Sequence, residues 1–117
     1  MLLVEPDERV RLALQHPGRA AVLQACIASP ASARMIEART GIPTVTCYRH
    51  IRTLVDHGLL VVARAALSPE GRPYDLYEST VAVAQLRVDA DGVHATSVGR
   101  ARMKDRLHGL WKQLEDR

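Results

Sequence analysis

The sequence is poor in the features that usually announce chemistry. It has two cysteines, Cys26 and Cys47, and five histidines, His16, His50, His57, His94 and His108, scattered along the chain. No cysteine and histidine share the spacing of a structural zinc site. No Ser/His/Asp set and no paired catalytic carboxylates stand out. Asp91-Gly92 is a lone turn signal, not a glycine-rich phosphate cradle. These absences leave no catalytic residue, metal or cofactor to assign, and they point away from an enzyme. No apolar run approaches the roughly 18 residues of a membrane helix, so no membrane partner is expected. No secretory leader is legible, and the expected compartment is a reducing cytoplasm. Internal repeats and low-complexity stretches are absent. Lysine is scarce, two against fourteen arginines, a bias that a GC-rich genome would also produce.

What remains is a chain of 117 residues, enough for one domain with a modest core. Net charge is +3 and the pI about 9.2, which suits a nucleic-acid partner without requiring one. The distribution says more. Residues 1–31 are balanced. Residues 32–64 carry Arg34, Arg39, Arg49, Arg52 and Arg64 against Glu37 and Asp56, a local +3. Residues 65–97 hold Arg72 and Arg87 against five acids, a local −3, and residues 98–117 return to +3.

Periodicity and punctuation supply the elements. Asp7 predicts a helix cap, with the helix running to about Gln15. Pro17 opens a second helix whose apolar positions are Val22, Leu23, Cys26 and Ile27, and Ser29-Pro30 is expected to end it. Ser32 caps a short helix to Thr40 with Met35 and Ile36 inward. Gly41-Ile42-Pro43 makes the turn. Thr44 is expected to cap the next helix, with Cys47, Ile51 and Leu54 inward. Val45, Thr46, Tyr48, Arg49, Arg52 and Thr53 face outward, and Gly58 is the stop. Strands follow at 59–66 and 74–80, flanking a Pro/Gly loop that carries Arg72. Another strand spans 81–89, with Ala84, Leu86 and Val88 predicted on one buried face. A turn at Asp91-Gly92, a short return strand at 93–96 and a final helix from Ser97 or Val98 complete the chain. Met1–Val4 is apolar and expected to pack.

A helix, a tight glycine turn, a second helix and a hairpin make the winged form of the helix-turn-helix, α+β and mainly helical. The stretch 12–26, with His16-Pro17 and Arg19 ahead of an apolar helix, resembles ArsR-like regulators. So does 44–54, followed by Gly58-Leu-Leu60. Within that group the Tyr48-Arg49 run and the Leu76-Tyr-Glu-Ser79 strand are most similar to archaeal-type members. The resemblance implies a homodimeric repressor on a near-palindromic operator. It does not extend to metal sensing: residues 32–40 hold no cysteine, and His108 stands alone on the last helix.

Two segments are expected, a DNA-binding domain at 1–97 and a dimerisation helix at 98–117. The candidate contacts to double-stranded DNA are Thr44, Thr46, Tyr48, Arg49 and Arg52 on the second helix of the motif and Arg72 on the wing. The candidate dimer interface is the last helix's stripe, Met103, Leu107, Leu110, Trp111 and Leu114, joined by Val10 and Leu14. Cys47 reads as core, with a redox switch as the alternative. The rival to DNA binding is a winged-helix module for a protein partner, which the acidic wing favours.

Overall fold

The computed structural model describes residues 5–115, except for the side chains of residues 5 and 102–106. Two short helices come first, α1 (Glu8–Leu14) and α2 (Pro17–Ala25), preceded by a two-residue strand, β1 (Glu5–Pro6). Asp7 caps α1 by accepting from the Arg9 and Val10 amides at 3.1 and 3.4 Å. The same carboxylate accepts from the Ser97 hydroxyl at 2.8 Å, which ties α1 to a strand ninety residues on. Pro17 occupies the first turn of α2, where its missing N–H has no intrahelical duty. Met1–Val4 lies outside the described residues.

Next come α3 (Ala33–Thr40) and α4 (Thr44–Asp56). The Ser32 hydroxyl accepts from the Met35 amide at 3.2 Å to start α3. Gly41, at φ 78°, ends it and returns its N–H to Glu37 at 2.8 Å. A residue with a Cβ would be strained in that left-handed conformation, so the glycine sets the turn. The turn is three residues long, 41–43. On α4, Cys47, Ile51 and Leu54 are buried, as the sequence predicts. They join Val10, Val22, Leu23, Cys26, Ile36, Leu59, Leu60 and Val81 in one aliphatic core.

The chain then forms two antiparallel hairpins. β2 (Leu60–Leu67) and β3 (Pro73–Ser79) pair from Leu60↔Ser79 out to Leu67↔Pro73, with an irregularity between Val62 and Arg64. β4 (Val81–Asp89) and β5 (Gly92–Gly99) make the second hairpin, and β1 adds to the β5 edge. α5 (Arg100–Glu115) follows β5 directly. The architecture is an α+β winged helix-turn-helix, with α3 and α4 as the motif and β2–β3 as the wing.

Several expectations are corrected. α2 stops at Ala25, before Ser29-Pro30, because residues 26–31 are drawn to the wing. The Cys26 carbonyl accepts from the Ser79 amide at 3.0 Å, and Ala31 and Tyr77 exchange both backbone bonds at 2.9 Å. Met35 lies on the exposed side of α3, whose buried positions are Ala33 and Ile36. The second hairpin is not short. Ser97, Val98 and Gly99 belong to β5, paired with Ala84, Val83 and Val81, so the last helix starts at Arg100. The predicted buried face of β4 is buried only at its base. Ala84 packs on the core, but Leu86 and Val88 are 41% and 72% exposed, because the hairpin runs out past the helical body.

Candidate nucleic-acid interface

The face of α4 opposite Cys47, Ile51 and Leu54 is a consequence of helical period: once those three point inward, Val45, Tyr48, Arg49 and Arg52 must point out. All four are exposed. Among the described residues, ion pairs form at Arg9–Asp7, Arg11–Glu8, Arg87–Asp89, His94–Asp89 and Arg100–Glu78. None involves Arg49 or Arg52 on α4, Arg34 on α3, or Arg64 and Arg72 on the wing. Among the described residues their charge has no carboxylate partner, whereas each of the other described arginines except Arg19 and Arg39 has one. Arg39 instead donates to the Ala25 carbonyl at 2.7 Å and closes the end of α2.

Thr44 does not cap α4. The residue before the helix is Pro43, no side chain accepts from the first-turn amides, and the Thr44 hydroxyl donates to the Glu37 carboxylate of α3. That bond fixes the angle of the two motif helices. It also engages the Thr44 hydroxyl as a donor. Thr46 is half-buried. The Thr40 hydroxyl bridges the turn, donating to the Ile36 carbonyl at 2.7 Å and accepting from the Ile42 amide at 3.1 Å. Side-chain hydrogen bonds thus brace the turn and the start of α4, and no side chain accepts from its first amides.

A shallow groove lies between α4 and the wing. Tyr48, Arg52 and Val55 line it from the helix, and Val62 and Tyr77 from β2 and β3. The wing loop is built on Ser68: its amide donates to the Arg72 carbonyl at 2.8 Å, and its hydroxyl accepts from the Arg72 amide at 3.1 Å. Arg72 is thereby carried at the tip, exposed, beside Glu70. The sequence named Tyr48, Arg49, Arg52 and Arg72 correctly as surface residues. It missed Val62 and Tyr77, which reach the groove only through the hairpin's pairing with the body. Val45 was placed outward but given no role.

The cysteines are buried among apolar neighbours. Burial pushes the Cys26 thiol up to about 11, slightly eased by Arg39 and reinforced by Cys47. Burial, then the charge of Glu37, raises Cys47 as well. The Cys47 thiol donates to the Ile42 carbonyl at 3.3 Å. Thiols held in the protonated form are poor redox centres. No cluster of three or more potential metal ligands occurs among the described residues. His50 lies against His16, ring centroids 4.9 Å apart, where the start of α2 meets α4. Among the described residues no helix is long and apolar enough to cross a membrane.

The proposed dimer residues fall into two groups. Leu107, Leu110, Trp111 and Leu114 are 57%, 46%, 63% and 65% exposed along one stripe of α5. The side chain of Met103 lies outside the described residues. Val10 is corrected: it is fully buried in the chain's own core and offers nothing to a second copy. Leu14 is half-buried against that core.

Residues 14–63 match the model of a family described as a helix-turn-helix domain, from the end of α1 to the first residues of β2. Among solved structures the chain is similar to the crystal structure of an ArsR family transcriptional regulator, at 18% identity and a TM-score of 0.42 over 92% of this chain and 90% of that one. No curated protein matches the chain.

Proposed function

We infer that this chain is a sequence-specific, duplex DNA-binding transcriptional regulator, acting as a homodimeric repressor in the cytoplasm. The observation that carries the reading is the outward face of α4, where Arg49 and Arg52 stand without a carboxylate partner among the described residues. A buttressed helix presenting unpaired guanidinium groups suits the major groove, and a wing carrying Arg72 suits the adjacent backbone. Arg34 and Arg64 extend the basic surface. The Tyr48-Arg49 run and the strand Leu76-Tyr-Glu-Ser79 support an ArsR-like regulator of the archaeal type.

Dimerisation rests on α5. Its stripe has the i, i+3, i+4, i+7 spacing of a helix seam, and four large apolar side chains stay exposed in the single chain. Two copies joined there would present two α4 helices to half-sites about 34 Å apart. In this arrangement the body through β5 holds DNA and the helix from Arg100 holds the partner.

The test is selection of bound sequences from random duplex DNA by the full chain, followed by affinity at several salt concentrations. A selected palindrome with a steep salt dependence is the expected result. A second reading, a winged module for a protein partner, is favoured by apolar exposure on the wing at Val61, Val62 and Leu67. Absence of any enriched duplex would favour it. Sedimentation of the full chain at micromolar concentration tests the dimer, and a monomer there would remove the palindromic operator.

A further inference from the structure

We propose that Val45 is a base-reading residue that recognises the C5-methyl group of a thymine in the major groove, one helical turn from the base contacted by Arg49. This deepens the DNA-binding reading above and rests on it. Val45 is the most exposed of the large apolar side chains in the described residues, at 75%. Nothing in the chain's own folding accounts for it. It is not a member of the buried core, and a β-branched side chain on an exposed helical turn adds nothing to helix stability. Its placement does have a chemical use. It stands in the first turn of α4, the end of a recognition helix that approaches base edges. The polar groups beside it are committed elsewhere, Thr44 to Glu37 and Thr46 half-buried.

A valine cannot donate or accept a hydrogen bond. In the major groove the one apolar feature it can recognise is the thymine methyl group. The side chain is short and stiff, so the contact requires the start of the helix to lie close to the base edge. No side chain caps the first-turn amides of α4, so that end of the helix is open to a ligand. The occupant is duplex DNA and not a second protein, because the same face carries Arg49 and Arg52, which have no carboxylate partner among the described residues. Residues 45 and 49 are one turn apart, about 6 Å along the axis. That corresponds to roughly two base steps of about 3.4 Å. Each half-site should therefore hold a thymine about two steps from the base pair that Arg49 reads.

The experiment uses the full chain and its selected duplex. Each thymine is replaced in turn by deoxyuridine, which removes the methyl group and leaves base pairing intact, and the Kd is measured at constant salt. Wild type should lose about fourfold in affinity at one position per half-site, the effect of one buried methyl group. Val45→Ala should bind thymine and deoxyuridine duplexes alike at that position. Arg49→Ala should keep the deoxyuridine effect while losing preference at its own base. Two results overturn the proposal: no deoxyuridine position that matters to wild type, or a deoxyuridine effect that persists undiminished in Val45→Ala. Because the first arm uses wild type alone, it does not depend on a variant folding. A dimer lost in Val45→Ala by sedimentation would make a second copy the occupant and also overturn it. Binding without a methyl effect refutes this inference alone, whereas no binding to any duplex refutes the DNA-binding reading with it.

Discussion

Arg100 is the place where the C-terminal helix is fastened to the rest of the chain, and its loss should be costly. Its Nε donates to the Ser79 carbonyl at 2.8 Å, and a second guanidinium nitrogen donates to the Ile27 carbonyl. The guanidinium also lies 3.6 Å from the Glu78 carboxylate. One side chain thus joins the end of β3 and the loop after α2 to the first residue of α5. A hydrogen bond from a charged donor contributes about 1.5–3 kcal/mol when well sheltered. Arg100 keeps 23% of its side-chain exposure, so the low end applies and the two carbonyl bonds together give about 2–4 kcal/mol. The Glu78 pair adds at most about 1 kcal/mol, as partly exposed pairs do. Arg100→Ala should therefore lower stability by about 2–4 kcal/mol, or the Tm by about 10 °C for a chain of this size. Arg100→Lys should lose more than half as much, because a single ammonium cannot span both carbonyls in the guanidinium geometry. Glu78→Gln should cost under about 1 kcal/mol. The assay is urea unfolding followed by circular dichroism, at one fixed protein concentration because a dimer's stability depends on it. If Arg100→Ala stays within about 0.5 kcal/mol of wild type, or Glu78→Gln costs as much as Arg100→Ala, the two-carbonyl clamp is refuted.

Gly18 faces the same kind of test at the other end of the body. A Cβ there would meet His50 Nε2 at 2.7 Å and the His16 ring at 3.2–3.3 Å. Gly18→Ala should be neutral to destabilising in wild type, yet stabilise a His50→Ala background by about 0.5–1 kcal/mol, the ordinary helical gain; thermal melts of the four proteins decide it. Burial, then the neighbouring His16, Arg19 and Arg49, hold His50 below its usual 6.5. The folded chain then takes that proton later than the unfolded one, so stability is full above pH 6.5 and declines as pH falls through the lower folded value. His50→Asn should flatten this decline in a pH series of melts. Asp7 gives the acid-side counterpart. Burial alone would raise its pKa, but hydrogen bonds from Arg9, Ser97 and Val10, with the Arg9 charge, hold it below 3.8. Its contribution is present above pH 3.8 and lost as pH falls through the lower folded value, a step that Asp7→Asn should remove. Arg49→Ala and Arg52→Ala should each weaken a selected duplex by about 1–3 kcal/mol if they contact a base, less if they contact phosphate only. A phosphate role would show as a salt slope reduced by about one, measured by fluorescence anisotropy.

The motif was legible because its determinants are local. Ser32, Gly41 and Gly58 act within a few residues of their own position, and the spacing of Cys47, Ile51 and Leu54 reports burial directly. What the sequence misplaced depends on partners far along the chain. α2 ends early because Cys26 and Ala31 are drawn to Ser79 and Tyr77 of the wing. Ser97 reads as a possible first residue of the last helix, yet its hydroxyl donates to Asp7 at 2.8 Å and its backbone pairs in β5. Thr44 reads as a cap, and its hydroxyl is taken by Glu37 from the neighbouring helix. In each case a short polar side chain has several possible partners, and local rules offer only the nearest.

The candidate interface shows the same division in reverse. Apolar periodicity marks a face that avoids water without saying what covers it. Val10 and Leu107 carry identical signals, each spaced as a helical core position, yet Val10 is fully buried by its own chain and Leu107 is 57% exposed. The difference lies in the neighbouring elements. α1 packs against β5 and the Asp7–Ser97 bond holds it there, while on α5, beyond the Arg100 clamp, Leu107, Leu110, Trp111 and Leu114 stay exposed among the described residues. A face that remains apolar after every intramolecular partner has been placed is a face shaped by something outside the chain. By that argument the exposed stripe of α5 supports the proposed dimer, and Val45, exposed beside two arginines that have no carboxylate partner among the described residues, supports the proposed contact with the major groove.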